Sequence, residues 1–200
     1  MRKKNQATTF ARHFESASQI EFKYHKRKGG LTVRHFTLLV LLLCCLILQA
    51  NAQTADEFVS RGMDKMKRGD YNAAIADFTE AIRLNPKYAE VYNNRGFAKC
   101  DLGNYGEAIA DYDTAIRLNP KEAKAYYNRA SARYGLDDYR GAIADYDTAI
   151  TLNPQNADAY YNRGVVKYAL GLVNSACSDF QKAADMGLSA GKETVRKVCK

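Results

Sequence analysis

Tryptophan is missing from this 200-residue chain, and proline and histidine occur only three times each. The histidines are His13, His25 and His35, so residues 53–200 contain none. That absence removes His-centred triads, His general bases and His metal ligands from the body of the chain together. The prolines are Pro86, Pro120 and Pro154, each preceded by asparagine and 34 residues from the next. The body also lacks an excess of one charge. Of the formal +8, residues 1–52 supply +7, with nine Lys/Arg against Glu15 and Glu21. Residues 53–200 hold 21 Lys/Arg against 20 Asp/Glu, a net of +1. A surface that tracks phosphates needs clustered cations that release counterions, so nucleic acid is not an expected partner.

Long apolar runs are absent with one exception. Phe36 to Leu48 reads FTLLVLLLCCLIL, without a charge, after Arg34 and His35 and before Gln49-Ala50-Asn51-Ala52. A basic flank, a short apolar core and an Ala-x-Ala end are the parts of a secretory signal peptide. The reading is a basic leader over 1–35, a signal segment over 36–52, and cleavage after Ala52. As a helix the run reaches about 20 Å, short of a ~30 Å hydrocarbon core, and an uncleaved membrane anchor is the alternative. The polar stretch 1–30 exceeds a usual n-region, so translation starting near Leu31 or Val33 would give an ordinary leader. A mitochondrial transit peptide fits residues 1–30 but not the apolar run after them. Leu43 before Cys44 argues against lipid modification. The expected location is exported, periplasmic or extracellular.

The body repeats. AIADYDTAI stands at 108–116 and at 142–150, and AIADFTEAI at 74–82. A 34-residue period points to stacked helical hairpins. Units fall at 55–88, 89–122, 123–156 and 157–188. Each opens near an aromatic residue (Phe58, Tyr92, Tyr126, Tyr160) with a small one four further on (Gly62, Gly96, Ala130, Gly164). The second half of each carries small–aromatic–small series such as Ala74, Phe78, Ala81 and Ala142, Tyr146, Ala149. Spacings of three and four place these on one helical face. Asn-Pro then ends the second helix, because the residue before proline is pushed out of the helical region.

In these residues the chain resembles the tetratricopeptide repeat family, over 55–188 and in all four units. The resemblance implies an all-α, right-handed α-solenoid of four helix hairpins with a concave groove. The fourth unit departs from the pattern, with Leu188 in place of proline and a turn reading Gly171-Leu172-Val173-Asn174. Both departures suit a terminal unit followed by a capping helix over 189–200.

In such a stack the first helix of each unit lines the groove. The expected partner-binding residues are Met63, Asn94, Phe97, Tyr127, Asn128, Tyr134, Tyr161, Asn162 and Tyr168, with Val59, Ser60, Asn93, Ser131 and Val165 among them. Asn94, Asn128 and Asn162 form a ladder whose amides suit the backbone of an extended peptide. Alternatively, the asparagines recur because the unit recurs and serve local packing. The family's two-carboxylate clamp for chaperone tails is not matched. Val59 and Met63 stand where a lysine and an asparagine are needed, and Asn128 where a basic residue is needed.

Three cysteines follow the signal segment. Cys177 and Cys199 flank a turn near Gly187, and antiparallel packing would pair them in an oxidising compartment, leaving Cys100 free. Residues 187–193 imitate a phosphate loop, but lack Ser/Thr after Lys192 and follow a helix; Gly187 reads as a helix stop. The pairs Asp111/Asp113 and Asp145/Asp147 read as solvated exterior, since residues two apart do not share a helix face.

These features lead to a non-enzymatic, exported interaction scaffold that binds a peptide or protein segment, with no catalytic residues, cofactor or metal, and a monomer. The alternative is a structural subunit that stacks through its repeat ends. Contact with a membrane is expected only through an uncleaved leader.

Overall fold

The computed structural model describes residues 54–199. The leader, the apolar segment and the cleavage point after Ala52 lie outside the described residues, as does Lys200. The described chain is a series of helices without strands, arranged as four antiparallel hairpins and one further helix. The hairpins are α1 (Ala55–Lys67) with α2 (Tyr71–Leu84), α3 (Ala89–Asp101) with α4 (Tyr105–Leu118), α5 (Ala123–Gly135) with α6 (Tyr139–Leu152), and α7 (Ala157–Ala169) with α8 (Val173–Asp185). Helix α9 (Ser189–Val198) follows. Four hairpins and a capping helix are the all-α solenoid expected from the period.

Local chemistry sets the boundaries. Thr54 caps α1 in a reciprocal capping box with Glu57, satisfying two backbone donors that a helix start leaves free. Asp70 and Asp138 cap α2 and α6 through their carboxylates, and Asn156 caps α7. Within each hairpin the chain turns through one residue at positive φ: Gly69, Gly103, Asp137 and Gly171. Glycine takes this left-handed conformation without a Cβ clash, and aspartate is among the few other residues that tolerate it. Asp137 also accepts the Tyr139 hydroxyl at 2.7 Å. Helices α2, α4 and α6 stop at Asn85, Asn119 and Asn153, whose N–H groups close the last turn onto Ala81, Ala115 and Ala149. Helix α8 has no Asn-Pro and ends at Asp185, with Gly187 at φ +95° just beyond.

Inside each hairpin a ring fills the crossing between small residues. Ala74, Phe78 and Ala81 are fully buried, as are Ala108, Tyr112 and Ala115 to within 1%. Complete burial of a side chain the size of Phe78 contributes about 1.5–3 kcal/mol. Between hairpins, α1 touches α3, α3 touches α5 and α5 touches α7. This close approach of the first helices puts them on the inner side of the curve.

The ends of the stack differ from its middle. Val91, Ala125 and Ala159 are fully buried where successive hairpins meet, and so, to within 1%, are Ala98, Ala132 and Val166. In the first hairpin the same two columns hold Glu57 and Asp64, both exposed. At the other end α9 packs on α8. A Cβ on Gly191 would lie 2.8 Å from the Ala184 nitrogen and 3.0 Å from the Phe180 carbonyl oxygen, so only glycine permits this approach. Cys177 and Cys199 form a disulfide that ties the start of α8 to the end of α9.

Candidate functional site

The inner face separates into residues that hold the repeats together and residues left open. Asn128 is buried and donates from Nδ2 to Asn93 Oδ1 at 3.0 Å. Asn162 repeats the contact one unit on, donating to the Tyr127 hydroxyl at 2.8 Å. Each amide thus reaches the residue 35 places earlier. For Asn94 that residue is Val59, which has no acceptor, and Asn94 Nδ2 is buried without a hydrogen-bond partner. The ladder foreseen as a binding surface is therefore, at Asn128 and Asn162, a set of bonds between hairpins. The reason is geometric: neighbouring first helices lie close enough for an amide to bridge them.

The aromatic residues divide in the same way. Tyr127 packs edge-on against Tyr146 at 5.7 Å, and the Tyr146 hydroxyl lies 2.9 Å from Ser131 Oγ. Tyr161 rests on Phe180 at 5.5 Å, and its hydroxyl lies 3.4 Å from Thr194 Oγ1 on α9. Met63 is half-buried against the cluster around Phe78. Phe97, Tyr134 and Tyr168 are open, with 38%, 39% and 50% of their surface exposed. These three lie on α3, α5 and α7 and form the accessible apolar part of the inner side. Tyr134 is steadied by the Tyr139 ring at 5.7 Å.

A second set of residues follows the same period and corrects the expectation of solvated aspartate pairs. Arg61, Arg95, Arg129 and Arg163 recur every 34 residues, and an aspartate follows each by 16 positions. In every hairpin the arginine on the first helix grips the aspartate on the second with two parallel bonds, as Arg129 Nε and Nη2 do Asp145 at 2.8 and 2.6 Å. The cation one turn later joins the same carboxylate: Lys65 to Asp77 at 2.7 Å, Lys99 to Asp111 and Arg133 to Asp145 at 3.0 Å, Lys167 to Asp179 at 2.8 Å. Asp111 and Asp145 are thus buried pair members, not solvated exterior. Asp113 and Asp147 are exposed, yet each binds the next hairpin's arginine, Arg129 and Arg163 respectively, at 2.5 Å. The two-residue spacing puts one carboxylate inward and the other toward the neighbour. At the first junction Thr79 holds that position and accepts from Arg95 at 3.1 Å.

Ionisation follows these contacts. The hydrogen bond from Arg61 holds the Asp77 carboxyl below its ordinary range. Hydrogen bonding to Asp145 and Asp179 keeps Arg129 and Arg163 protonated even more firmly than usual. Burial pushes the hydroxyls of Tyr112, Tyr127 and Tyr146 upward, and the Cys100 thiol likewise, so Cys100 stays a neutral thiol. The open part of the inner face is thus made of aromatic rings, a surface suited to contact with a polypeptide.

Known proteins share this architecture. The family described as TPR repeat matches three times, over residues 62–99, 98–137 and 133–171. No curated protein sequence matches the chain. Among solved structures it is similar to the crystal structure of MamA, with 29% identity, a TM-score of 0.60, and coverage of 63% of this chain and 74% of that one. It is also similar to the first TPR of Spaghetti (RPAP3) bound to the HSP90 peptide SRMEEVD, at 29% identity and a TM-score of 0.58, covering 60% and 96%. The Arabidopsis OM64 TPR domain is 32% identical with a TM-score of 0.56, covering 57% of this chain and 94% of that one. With the repeat matched over residues 62–171, more than half of the chain, and the same solenoid in its structural neighbours, this chain belongs to the tetratricopeptide repeat family.

Proposed function

We propose that the protein is an exported, non-enzymatic interaction scaffold that captures a peptide or protein segment along the inner face of α1, α3, α5 and α7. The observation that carries this reading is the open series Phe97, Tyr134 and Tyr168, set on helices whose other faces are buried. Aromatic side chains held rigidly offer large contact area at little entropic cost. Peptide binding by the Spaghetti domain of the same architecture agrees with this use of the fold. Export rests on the signal-like leader, and the Cys177–Cys199 bond suits an oxidising compartment.

The ends of the stack favour a scaffold over a subunit that polymerises. Glu57 and Asp64 leave the first hairpin without an apolar stacking face, and α9 covers the last. The test is affinity capture from the exported fraction with residues 53–200, comparing the natural sequence with Phe97→Ser/Tyr168→Ser. The doubly substituted protein should keep its helical circular dichroism and lose the partner. Capture that is unchanged would remove the inner face from consideration.

A further inference from the structure

The geometry points to a partner segment that is apolar and basic, docked along the inner face with its positive side chains against acidic positions of the first helices. This rests on the proposed scaffold reading and names the chemistry of its ligand. In each first helix the arginine and the cation one turn later are committed to the aspartate of their own hairpin, at 2.5 to 3.0 Å. Those cations are therefore not available to a ligand on the inner side.

Helical spacing shows which charges remain there. Glu90 lies four residues before Asn94, Asp101 four after Phe97, and Asp158 three before Tyr161, so each shares a face with an inner residue. Asp56 stands in the same relation to Val59. All four carboxylates are exposed, but Asp101 and Asp56 lie against the hydroxyls of Tyr71 and Tyr88, which leaves Glu90 and Asp158 as the open pair. Asp158 is near enough to Tyr127 to raise its hydroxyl pKa further, which sets this carboxylate beside the inner aromatic surface. Against them stand Lys124 and Lys67, and Lys67 already faces Asp64 at 3.5 Å. Glu90 and Asp158 thus set negative charge beside the inner surface, where an acidic tail would meet repulsion and a basic segment attraction.

A second observation marks the same face as incomplete. Asn94 is 5% exposed, and its Nδ2 has no hydrogen-bond partner. Its counterparts Asn128 and Asn162 have acceptors within the stack, whereas Val59 gives Asn94 none. Glu90 and Asn94 share a face, and Phe97 follows one turn later. Leaving such a donor unmet costs about 1–3 kcal/mol.

Fluorescence anisotropy with two labelled probes tests the inference on the purified protein. One is the peptide SRMEEVD with a free carboxyl terminus; the other is an amidated heptapeptide that alternates lysine with leucine and tyrosine. The basic probe should bind at least about tenfold more tightly, and weaken as salt is added. Glu90→Lys/Asp158→Lys should reduce its affinity about tenfold, and Phe97→Ser/Tyr168→Ser by at least as much. Equal or tighter binding of SRMEEVD, with sensitivity to Phe97→Ser/Tyr168→Ser, would overturn the charge assignment while leaving the scaffold reading intact. Indifference of the basic probe to Glu90→Lys/Asp158→Lys would overturn it as well. Indifference of both probes to Phe97→Ser/Tyr168→Ser would overturn both readings.

Discussion

At the amino end of the stack two charged side chains, Glu57 and Asp64, occupy columns that are apolar and buried in every later hairpin. At the carboxyl end the last hairpin keeps its apolar character, and a separate helix with its own disulfide covers it. Both ends meet the same requirement, that a solenoid terminate without exposing a stacking surface. Substitution needs no extra chain, but it leaves the first hairpin wet: the Arg61 side chain is 44% exposed, against 16% for Arg163. Covering by α9 keeps the last hairpin as dry as the middle. The two ends therefore contain the same ion pair in different surroundings, and single substitutions should separate them.

The largest difference is expected at that pair. Asp179→Ala leaves Arg163 and Lys167 with a buried partner missing and should cost about 3–5 kcal/mol, read from urea unfolding. Asp77→Ala, beside the solvated Arg61, should cost roughly half as much. Equal losses would show that the solvent at the first hairpin does not screen its pair. Next comes the bridge. Cys177→Ser/Cys199→Ser should lower stability by about 3 kcal/mol, chiefly through the freer unfolded chain. Hydrogen exchange should then rise in α9 before any other helix.

Smaller effects are expected inside the stack near its amino end. Asn128→Ala removes the bond to the buried Asn93 Oδ1, while Asn94→Ala removes an amide whose Nδ2 has no partner. The first should be more costly by about 1–2 kcal/mol in the same denaturation experiment. The acid limb of stability gives a further contrast. Asp77 has a folded-state pKa below its unfolded value, so its contribution is complete above the unfolded pKa. It is lost as pH falls through the folded value, at pH below about 4. Asp77→Asn should flatten the pH dependence of the melting temperature in that window, and an unchanged slope would assign the acid limb to other groups. The smallest change in stability, within about 0.5 kcal/mol, is expected for Glu57→Val/Asp64→Ala. Its readout is association: the paired substitution restores a stacking column and should produce concentration-dependent dimers in sedimentation velocity.

The period made most of the fold readable. Ala55, Ala89, Ala123 and Ala157 begin the first helices, Asn-Pro ends three of the second, and the cysteines flanking Gly187 are bonded. These features depend on local chemistry or on spacing along one helix. The inner face was harder to read because its residues are sorted by neighbours 35 positions away. Nothing local distinguishes Asn94 from Asn128; Val59 and Asn93 do. Asp111 and Asp113 were likewise separated correctly onto different faces, but the partner waiting at each face became visible only with the hairpins in place. Glu57 could have been recognised by comparing the blocks column by column, since it stands where Val91, Ala125 and Ala159 do.

The paired aspartates also bear on how such a chain changes length. An internal block such as residues 123–156 brings an arginine for the carboxylate before it and an outward carboxylate for the arginine after it. Each block is a plug at one side and a socket at the other, so a duplicated internal copy would join without new contacts having to be invented. The outer blocks lack one half of that fitting. Growth by duplication is thus permitted in the interior and closed at both termini, which makes the number of groove positions heritable independently of the ends.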